Sequence, residues 1–273
     1  DFLRPDVSQV AFDVACGSKC PISWHIETDC PWMQFSCTGG TVAENQRVTL
    51  TIDRSQITGK AAGQFAVVNE HIQEGTGAAN IIVEVDNTPV SYPKGTFVEA
   101  NGCIAMEAQH YTAKRDVPGG GFALLKPYGR LGTALKVFPA TANFENSEER
   151  PYLEYTFAAA KDGNYHVQFH MSATTPVTFE PKQYIGYSVN GGAVQVVNTV
   201  HEENRPFFGS EQWYAEGFAN VKLIEAMIPC HAGVNTLRFY AVSPAIILEK
   251  IVLWPDGTTL PESYLGPRES YRC

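Results

Sequence analysis

Carboxylates and histidines are the residues of this sequence that could perform catalysis, and their spacing decides which chemistry is open to them. Acidic residues occur as adjacent pairs, Glu148 with Glu149 and Glu202 with Glu203. A glycosidase needs two carboxylates at a fixed separation around the scissile bond. The spacing gives no reason to pair any two of these acids, and adjacent acids near an arginine are typical of solvated loops. The acidic residues therefore predict no catalytic pair.

His166 and His170 are four residues apart, which on a helix would place two metal ligands on one face. The surrounding stretch YHVQFHMS alternates apolar and polar residues and predicts a strand, with Tyr165, Val167, Phe169 and Met171 inward and the histidines outward. On a strand the imidazoles would be about 13 Å apart, too far for one ion. We therefore expect two surface histidines. The G-x-S-x-G, H-E-x-x-H and P-loop motifs are also absent from the sequence.

Aromatic residues in predicted loops favour a different chemistry, the binding of sugars. These residues are Tyr128, Phe207, Phe208, Trp213 and Tyr214, with Arg130 and Asn220 near them in sequence. A pyranose stacks its C–H face on an aromatic ring, while Arg, Asn or acidic side chains bind its hydroxyl groups. The alternative is that the rings pack loops onto the protein or contact another domain. Both interpretations remain open from the residues alone.

β-Strands must position these side chains, because residues 7–87 are a succession of short alternating runs. The runs are QVAFDVAC, ISWHIET, QRVTLTID, GQFAVV and NIIVEVDN, each with turn residues at its ends. In the third run Val48, Leu50 and Ile52 share one face, as in a half-buried strand. Trp24 and Trp32 are expected in the core of this small sandwich rather than exposed as sugar platforms.

A second all-β region follows a predicted linker, TPVSYPKGT at 88–96, which contains two prolines and a glycine. Nine longer strand candidates suit a two-sheet jelly roll. They are CIAMEAQHY, ALKVFP, PYLEYTFA, YHVQFHMS, QYIGYSVN, AVQVVN, VKLIEAMI, NTLRFYAV and AIILEKIVLW. Asn190-Gly191-Gly192 predicts a hairpin, and 210–228 predicts a short helix or loop up to Asn220 and then a strand. Strands do not alternate with helices, so a (β/α) barrel is not expected.

Composition bears on partners and compartment. The net charge is −9 and the twenty basic residues are scattered, so nucleic acid is not an expected partner. The apolar runs are shorter than the ~20 residues of a membrane helix, so no membrane contact is expected. The first residues, DFLRPDV, do not resemble a signal peptide, and we interpret the chain as a mature or excised product.

Seven cysteines, four of them among the first 37 residues, indicate an oxidising compartment and disulfide bonds. Zinc is the alternative: the spacing of Cys16 and Cys20 fits a zinc pair, but that of Cys30 and Cys37 does not. Connectivity cannot be deduced from the sequence, and an odd cysteine remains. We expect a secreted, extracellular protein.

Five motifs together carry a family resemblance. They are MEAQHYTAK (106–114), YGRLGTALKVFP (128–139), PYLEYTF (151–157), the loop 213–220 and the most specific, SYLGPRES (263–270). With them the chain resembles the C-terminal, non-catalytic portion of glycoside hydrolase family 115, the xylan α-1,2-glucuronidases. The resemblance implies an all-β chain, with an immunoglobulin-like sandwich over 1–90, a jelly roll like a carbohydrate-binding module over 97–273, and a terminus packed into the fold. It also implies that the catalytic domains lie upstream, so this chain alone should not be an enzyme.

The second region is also similar to carbohydrate-binding modules of families 6 and 35, which often hold a structural calcium. The matching positions here are Glu107, Gln109 and Glu249, with an amide in place of one carboxylate. Calcium favours six to eight oxygen ligands and negative charge, so the substitution weakens the match. In those relatives the sugar site lies in loops at one end of the sandwich, which the loops of Tyr128 and Trp213 could reach.

The resulting hypothesis is an accessory region that helps a xylan-degrading α-glucuronidase bind xylan or a related plant polysaccharide. The expected binding residues are Trp213, Tyr128, Arg130, Asn220 and Tyr214. The first alternative is an interaction or homodimerisation module that packs on the catalytic domains of the parent enzyme without sugar affinity. A small independent enzyme is the second. A flat apolar patch would favour interaction, and a loop-rimmed groove with one ring and convergent polar groups would favour sugar binding.

Overall fold

The computed structural model describes residues 3–17, 19–71, 77–177, 180, 182–201, 208–260 and 263–273. Phe207, Glu202 and Glu203 lie outside the described residues. The chain divides into two compact units, Asp1–Val90 and Ser91–Cys273, here called unit 1 and unit 2. Both are built from antiparallel sheets, which confirms the all-β prediction.

Unit 1 is a sandwich of two small sheets. Its strands are β1 (Gln9–Ala15), β2 (Ile22–Glu27), β3 (Met33–Phe35), β4 (Gly39–Val42), β5 (Asn45–Ile52), β6 (Gly59–Asn69) and β7 (Ala78–Asn87). The first sheet has the order β1-β5-β3 and the second the order β4-β2-β6-β7. All five runs predicted from alternation are strands, and the short β3 and β4 are additions that alternation did not indicate.

The core of unit 1 follows from the alternation along β5. Val48, Leu50 and Ile52 are buried, whereas the threonines between them are partly exposed. Trp24 and Trp32 are both buried, as predicted. Removing side chains of this kind from water contributes roughly 1.5–3 kcal/mol each, so these strands are held mainly by the face they turn inward.

Unit 2 is a larger sandwich of two sheets, and its described residues include one α-helix and a short 3₁₀ helix, Ala108–His110. Its elements are β8 (Phe97–Val98), β9 (Ile104–Glu107), β10 (Ala113–Arg115), β11 (Gly121–Leu125), β12 (Ala134–Phe138), β13 (Tyr152–Ala159), β14 (Gly163–Met171), β15 (Tyr184–Val189), β16 (Gln195–Asn198), α1 (Glu211–Ala219), β17 (Lys222–Cys230), β18 (Gly233–Ala241) and β19 (Ile247–Pro255). One sheet has the order β10-β13-β18-β15-β16, with β8 on β13. The other has the order β11-β12-β19-β14-β17, with β9 on β19.

The residues of β14 show how the sheets of unit 2 pack against each other. Tyr165, Val167, Phe169 and Met171 are fully buried in the core cluster that the described residues of unit 2 form, as the alternation predicted. The side chains between them face outward from the sheet. That outer face, bounded by β17 and β19, carries the groove described below.

Two local predictions in unit 2 are confirmed. Asn190 and Gly191 both have positive φ angles in the turn between β15 and β16, the backbone that an Asn-Gly hairpin turn requires. The segment 210–228 divides into α1 and β17, where a short helix or loop up to Asn220 and then a strand were expected.

The cysteines of unit 2 do not support the disulfide prediction. Cys230 and Cys273 form no disulfide in the structure, and neither do Cys30 and Cys37 of unit 1. Cys230 is buried, and burial raises the pKa of its thiol to about 12. In the described part of the chain, no helix has the length and apolarity needed to cross a membrane.

Candidate functional site

The C-terminal segment 263–273, here called the tail, is part of the fold of unit 2. Its last residues pair with the start of the unit: the Val98 N–H donates to Tyr271 O (3.1 Å) and the Cys273 N–H donates to Thr96 O (3.0 Å). The Ser270 N–H donates to Ala105 O (2.8 Å), and the Ala105 N–H donates back to Ser270 Oγ (3.0 Å). These bonds use backbone groups at a sheet edge that would otherwise be unpaired, so they hold the terminus in the fold.

A buried lysine holds the middle of the tail. Lys250 lies on β19, and its Nζ donates to Leu265 O (3.0 Å) and Pro267 O (2.8 Å). Burial lowers the pKa of Lys250, because the charged form loses its hydration. The two carbonyl oxygens replace part of that hydration and fix the tail across the outer face of the sheet.

Gly266 lets the tail approach this face closely. Its φ is +71°, and a Cβ at this position would lie 3.0 Å from His170 Cε1. Only glycine adopts this backbone without strain while leaving room for the ring. The prediction that His170 is a surface histidine was wrong: it faces outward from β14, but the tail covers it and leaves 4% of it exposed.

His170 is neutral and held in one tautomer by its two partners. Its Nε2 lies 2.7 Å from Gln168 Oε1, and its Nδ1 lies 3.0 Å from Arg130 Nη2. Because an arginine can only donate, Nδ1 must accept and Nε2 must carry the proton. Burial, together with the charges of Arg130 and Lys250, lowers the pKa of His170 to about 3.

Arg130 joins the turn after Tyr128 to the tail. Its Nη1 donates to the carbonyl oxygen of Tyr264, and its guanidinium carbon lies 5.2 Å from the centroid of the Tyr264 ring. The backbone N–H of Arg130 also donates to Glu249 Oε2 at 3.1 Å. Tyr264 is thereby held as an exposed aromatic wall beside the sheet.

The strand register places a tryptophan next to this wall. His166 on β14 is opposite Trp254 on β19, and their rings are stacked with centroids 5.1 Å apart and planes 10° apart. Gln168, the next outward residue of β14, donates from Nε2 to Glu225 Oε1 at 2.7 Å. These contacts orient the indole and the amide before any ligand arrives.

Together these side chains line a groove of about 770 Å³ between the sheet and the tail, here called the tail groove. Its lining residues are Arg130, His166, Gln168, His170, Leu223, Trp254, Thr258, Thr259, Leu260, Ser263, Tyr264, Gly266 and Pro267. Its volume is within the range of small-molecule sites, about 300–1,000 Å³. It combines indole and phenol rings with imidazole, amide and guanidinium groups, which suits a ligand with C–H faces and many hydroxyls.

A second candidate surface surrounds α1. The Ser210 Oγ caps the helix by accepting from the Trp213 N–H (3.2 Å), and Asn220 ends it in the left-handed conformation. Trp213 packs edge-on against Tyr214, with centroids 5.0 Å apart, and Tyr214 stacks with Phe218. Phe208 is 65% exposed and Phe218 is 87% exposed. We call these four rings the α1 aromatic patch.

A buried ion pair fixes α1 to the sandwich. Lys222 is fully buried, and its Nζ lies 3.4 Å from Glu216 Oε2, 3.1 Å from Gln183 Oε1 and 3.3 Å from Thr174 O. Burial raises the pKa of Glu216 and lowers that of Lys222, in each case opposed by the partner's charge. These contacts fix the position of α1 and therefore of the α1 aromatic patch that it carries. A concavity of about 420 Å³ lies between Trp213, Phe218 and Thr174.

The structure divides the five predicted binding residues. Trp213 and Tyr214 are together in the α1 aromatic patch, and Asn220 ends the same helix. Arg130 lies in the tail groove instead, and Tyr128 is half-exposed in the turn before it and lines neither surface. Sequence reasoning missed Trp254, His166 and Gln168 as site residues. Their only signal was alternation that put them on the outer face of predicted strands.

The three residues predicted to hold calcium have hydrogen-bond partners of their own in the structure. Gln109 Nε2 donates to Glu107 Oε2 (3.1 Å), so the amide satisfies the carboxylate rather than adding an oxygen ligand. Glu249 is buried, and its carboxylate accepts from Ser172 Oγ (2.8 Å) and from the backbone N–H of Arg130. This set of side chains does not fit calcium, which needs six to eight oxygen ligands. Among the described residues, Glu107 instead has His110 and Glu269 within 4.8 Å as groups that can bind a metal.

The fold is that of an all-β chain with two sandwiches, and a family model identifies it further. The model described as "Glycosyl hydrolase family 115 C-terminal domain" matches residues 96–269. This chain belongs to that family, which confirms the resemblance inferred from the five motifs. No curated protein matches the chain.

Solved structures with similar folds include hydrolases and binding modules. BtGH115A, a family GH115 4-O-methyl-α-glucuronidase with specificity for decorated arabinogalactans, matches with a TM-score of 0.45 and 15% identity. The match covers 63% of this chain and 20% of that one. The Podospora anserina GH26-CBM35 β-(1,4)-mannanase matches at 0.39 and 15%, over 59% of this chain and 29% of that one. A family 35 carbohydrate-binding module from Clostridium thermocellum matches at 0.37 and 19%, over 55% and 97%.

Proposed function

We propose that this chain is an accessory region of a secreted, xylan-degrading α-glucuronidase and that it binds xylan or a related plant polysaccharide through the tail groove. Membership of the family 115 C-terminal domain supports the accessory role. The proposal includes the catalytic domains of the parent enzyme as a partner. It also includes an extracellular location, since a polysaccharide is too large to enter the cell before it is degraded.

One observation carries the proposal: Trp254 lies in a groove where polar groups converge. The indole is oriented by His166, and the Gln168 amide and the Arg130 guanidinium line the same groove. An aromatic face suits the C–H face of a pyranose, and the polar groups suit its hydroxyls. The α1 aromatic patch, by contrast, presents four rings and few polar groups.

Isothermal titration of the chain with glucuronoxylan oligosaccharides tests this assignment. A pyranose that removes about 80 Å² of apolar surface from water is stabilised by about 2 kcal/mol, so Trp254→Ala should weaken binding about thirty-fold. Trp213→Ala is the matched control, because it removes an indole of unit 2 outside the groove, and it should leave the affinity unchanged. Loss of binding in Trp213→Ala alone would move the sugar site to α1. No heat with the unmodified chain would refute sugar binding.

The α1 aromatic patch favours a second function, docking on the catalytic domains or on a second copy of the chain. Large rings exposed to this extent are uncommon on a monomeric surface and mark interaction sites. Sedimentation of the chain at increasing concentration, alone and with the catalytic domains, tests this function. A complex that Phe218→Ser abolishes would support it, whereas a monomer under both conditions would exclude it.

A further inference from the structure

Three side chains that can bind a metal meet where the tail lies against β9. Glu107 ends β9, His110 ends the 3₁₀ helix Ala108–His110, and Glu269 belongs to the tail. Each offers one ligand atom, and these atoms all lie within 4.8 Å of one another. Two ligands of one zinc ion are about 3.3 Å apart, so small side-chain movements would bring all three onto one ion.

The local sequence puts two of these groups on one side of a helical turn. A 3₁₀ helix has three residues per turn, so side chains three positions apart lie one above the other. Glu107 is the N-cap of this helix, and His110 is its last residue, three positions later. Glu107 Oε2 accepts from Gln109 Nε2 (3.1 Å), a bond that orients the carboxylate and uses one of its two oxygens.

The tail supplies the third group, and a backbone N–H orients it. The Glu107 N–H donates to Glu269 Oε1 at 2.9 Å. His110 Nδ1 lies 2.8 Å from the same oxygen and 2.9 Å from Glu269 Oε2. Neighbouring hydrogen bonds commonly orient the imidazoles and carboxylates that bind metals. The ring nitrogen and the carboxylate therefore face each other across the position that an ion would take.

The charge of the cluster favours a cation. Burial lowers the pKa of Lys250, while the carboxylates of Glu107 and Glu269 both act to raise it. Two negative charges thus surround one lysine. When His110 is neutral, the form that binds metals, these groups retain an excess of negative charge.

The ligand types identify the class of metal. An imidazole nitrogen with two carboxylate oxygens suits zinc and similar transition metals, whereas calcium and magnesium take oxygen ligands. The cluster shares only Glu107 with the three positions predicted for calcium. We propose that Glu107, His110 and Glu269 bind zinc or a chemically similar divalent transition metal, and that the ion ties the tail to the first strands of unit 2.

Calorimetric titration of the full, chelator-treated chain with zinc chloride tests the proposal. The unmodified chain should bind zinc saturably, one ion per chain. His110→Asn and Glu269→Gln should each weaken binding by about a hundredfold or more, because each removes a ligand. Glu269→Gln keeps an oxygen that accepts from the Glu107 N–H, so the tail should stay in place. Gln109→Ala removes only a group that orients Glu107 and should weaken binding by about 10–100-fold.

His25→Asn is the matched control. The side chains of His25 and His110 are both 38% exposed, and both contact carboxylates. Glu27 Oε1 lies 3.0 Å from His25 Nε2, however, and Glu70 Oε1 lies 3.2 Å from Nδ1. The two nitrogens point in different directions, so an ion bound to one of them cannot reach both carboxylates. His25→Asn should leave the affinity for zinc unchanged.

Amide exchange at Ser270 gives a second readout. The Ser270 N–H donates to Ala105 O, next to Glu269 in the chain. Opening the tail there would have to release the ion. At free zinc 100 times the dissociation constant, exchange should therefore slow by up to about a hundredfold. The slowing should appear in His25→Asn and be absent from His110→Asn.

Absence of saturable zinc binding by the unmodified chain would overturn the proposal. Equal affinity in His110→Asn and the unmodified chain would also overturn it, because groups elsewhere would then hold the zinc. Calcium chloride is titrated in parallel, and tighter binding of calcium than of zinc would overturn the assignment to a transition metal. These titrations contain no sugar, so their outcome is independent of polysaccharide binding.

Discussion

Replacing Gly266 with alanine tests whether the tail lies on His170 as described. The backbone there has a φ of +71°, and the new Cβ would lie 3.0 Å from His170 Cε1. A non-glycine residue in the left-handed region costs roughly 1–2 kcal/mol, and crowding in a packed site adds about 1–3 kcal/mol. We expect Gly266→Ala to lower the free energy of unfolding of unit 2 by about 2–5 kcal/mol.

Gly257→Ala is the matched control, because it separates the backbone cost from the contact with the ring. Gly257 has a φ of +80°, and a Cβ there meets nothing within 4 Å. Its substitution should therefore cost only the roughly 1–2 kcal/mol of the positive φ. In thermal unfolding, each kcal/mol corresponds to about 2–4 °C for a domain of this size. The two variants should differ in Tm by several degrees.

Amide exchange shows how the strain is released. If the tail lifts off as a unit, the amides of Ser270 and Val98 should exchange faster in Gly266→Ala, because both bond across the tail boundary. The same amides should be unchanged in Gly257→Ala. Equal destabilisation by the two variants, with equal protection at Ser270 and Val98, would refute the close contact between the tail and His170.

Three further outcomes are expected. Lys222→Met should destabilise unit 2 by about 3 kcal/mol in urea unfolding, because the largely buried carboxylate of Glu216 loses its cation. Adding Glu216→Gln should restore most of the loss, and no recovery would contradict the ion pair. His170 has a pKa of about 3 in the folded protein against about 6.5 unfolded, so between these values the unfolded state binds more protons. His170 should therefore make the free energy of unfolding rise with pH by up to about 1.4 kcal/mol per pH unit in that window. His170→Gln should remove this contribution, as measured by urea unfolding at several pH values. Burial raises the pKa of the Cys230 thiol to about 12. Cys230 should therefore resist alkylation at pH 8 in the native protein and react after unfolding. Rapid labelling of the native protein, detected by mass spectrometry, would contradict its burial.

The strands were predictable because burial on one face imposes a period of two. β14 is the clearest instance, since its inward residues from Tyr165 to Met171 are all fully buried. β8 and β10 were missed because two or three residues are too few to show a period, and β11 was missed because its sequence GFALL does not alternate. Such strands form because a neighbouring strand offers a ladder, which is a tertiary effect.

The tail groove could not be predicted from spacing. Arg130, His166, Trp254 and Tyr264 come together only because β12, β19 and β14 are neighbours in the sheet and the tail folds back over them. The five predicted binding residues lie on different surfaces because neighbours in sequence need not share a surface. Arg130 is close in sequence to Tyr128, but its side chain reaches a tail segment more than a hundred residues away.

Both candidate surfaces depend on irregular segments that buried lysines hold in place. Lys250 donates to two carbonyl oxygens of the tail, and Lys222 donates to Thr174 O and to the Gln183 amide oxygen beneath α1. Burial lowers the pKa of each amine, because it disfavours the charged form, and the hydrogen bonds offset part of that cost at both sites, as does the charge of Glu216 at Lys222. An ammonium group aims three donors from one compact centre, whereas a guanidinium is a planar fork. Arginine at either position would therefore displace the segment it holds, together with the surface which that segment carries.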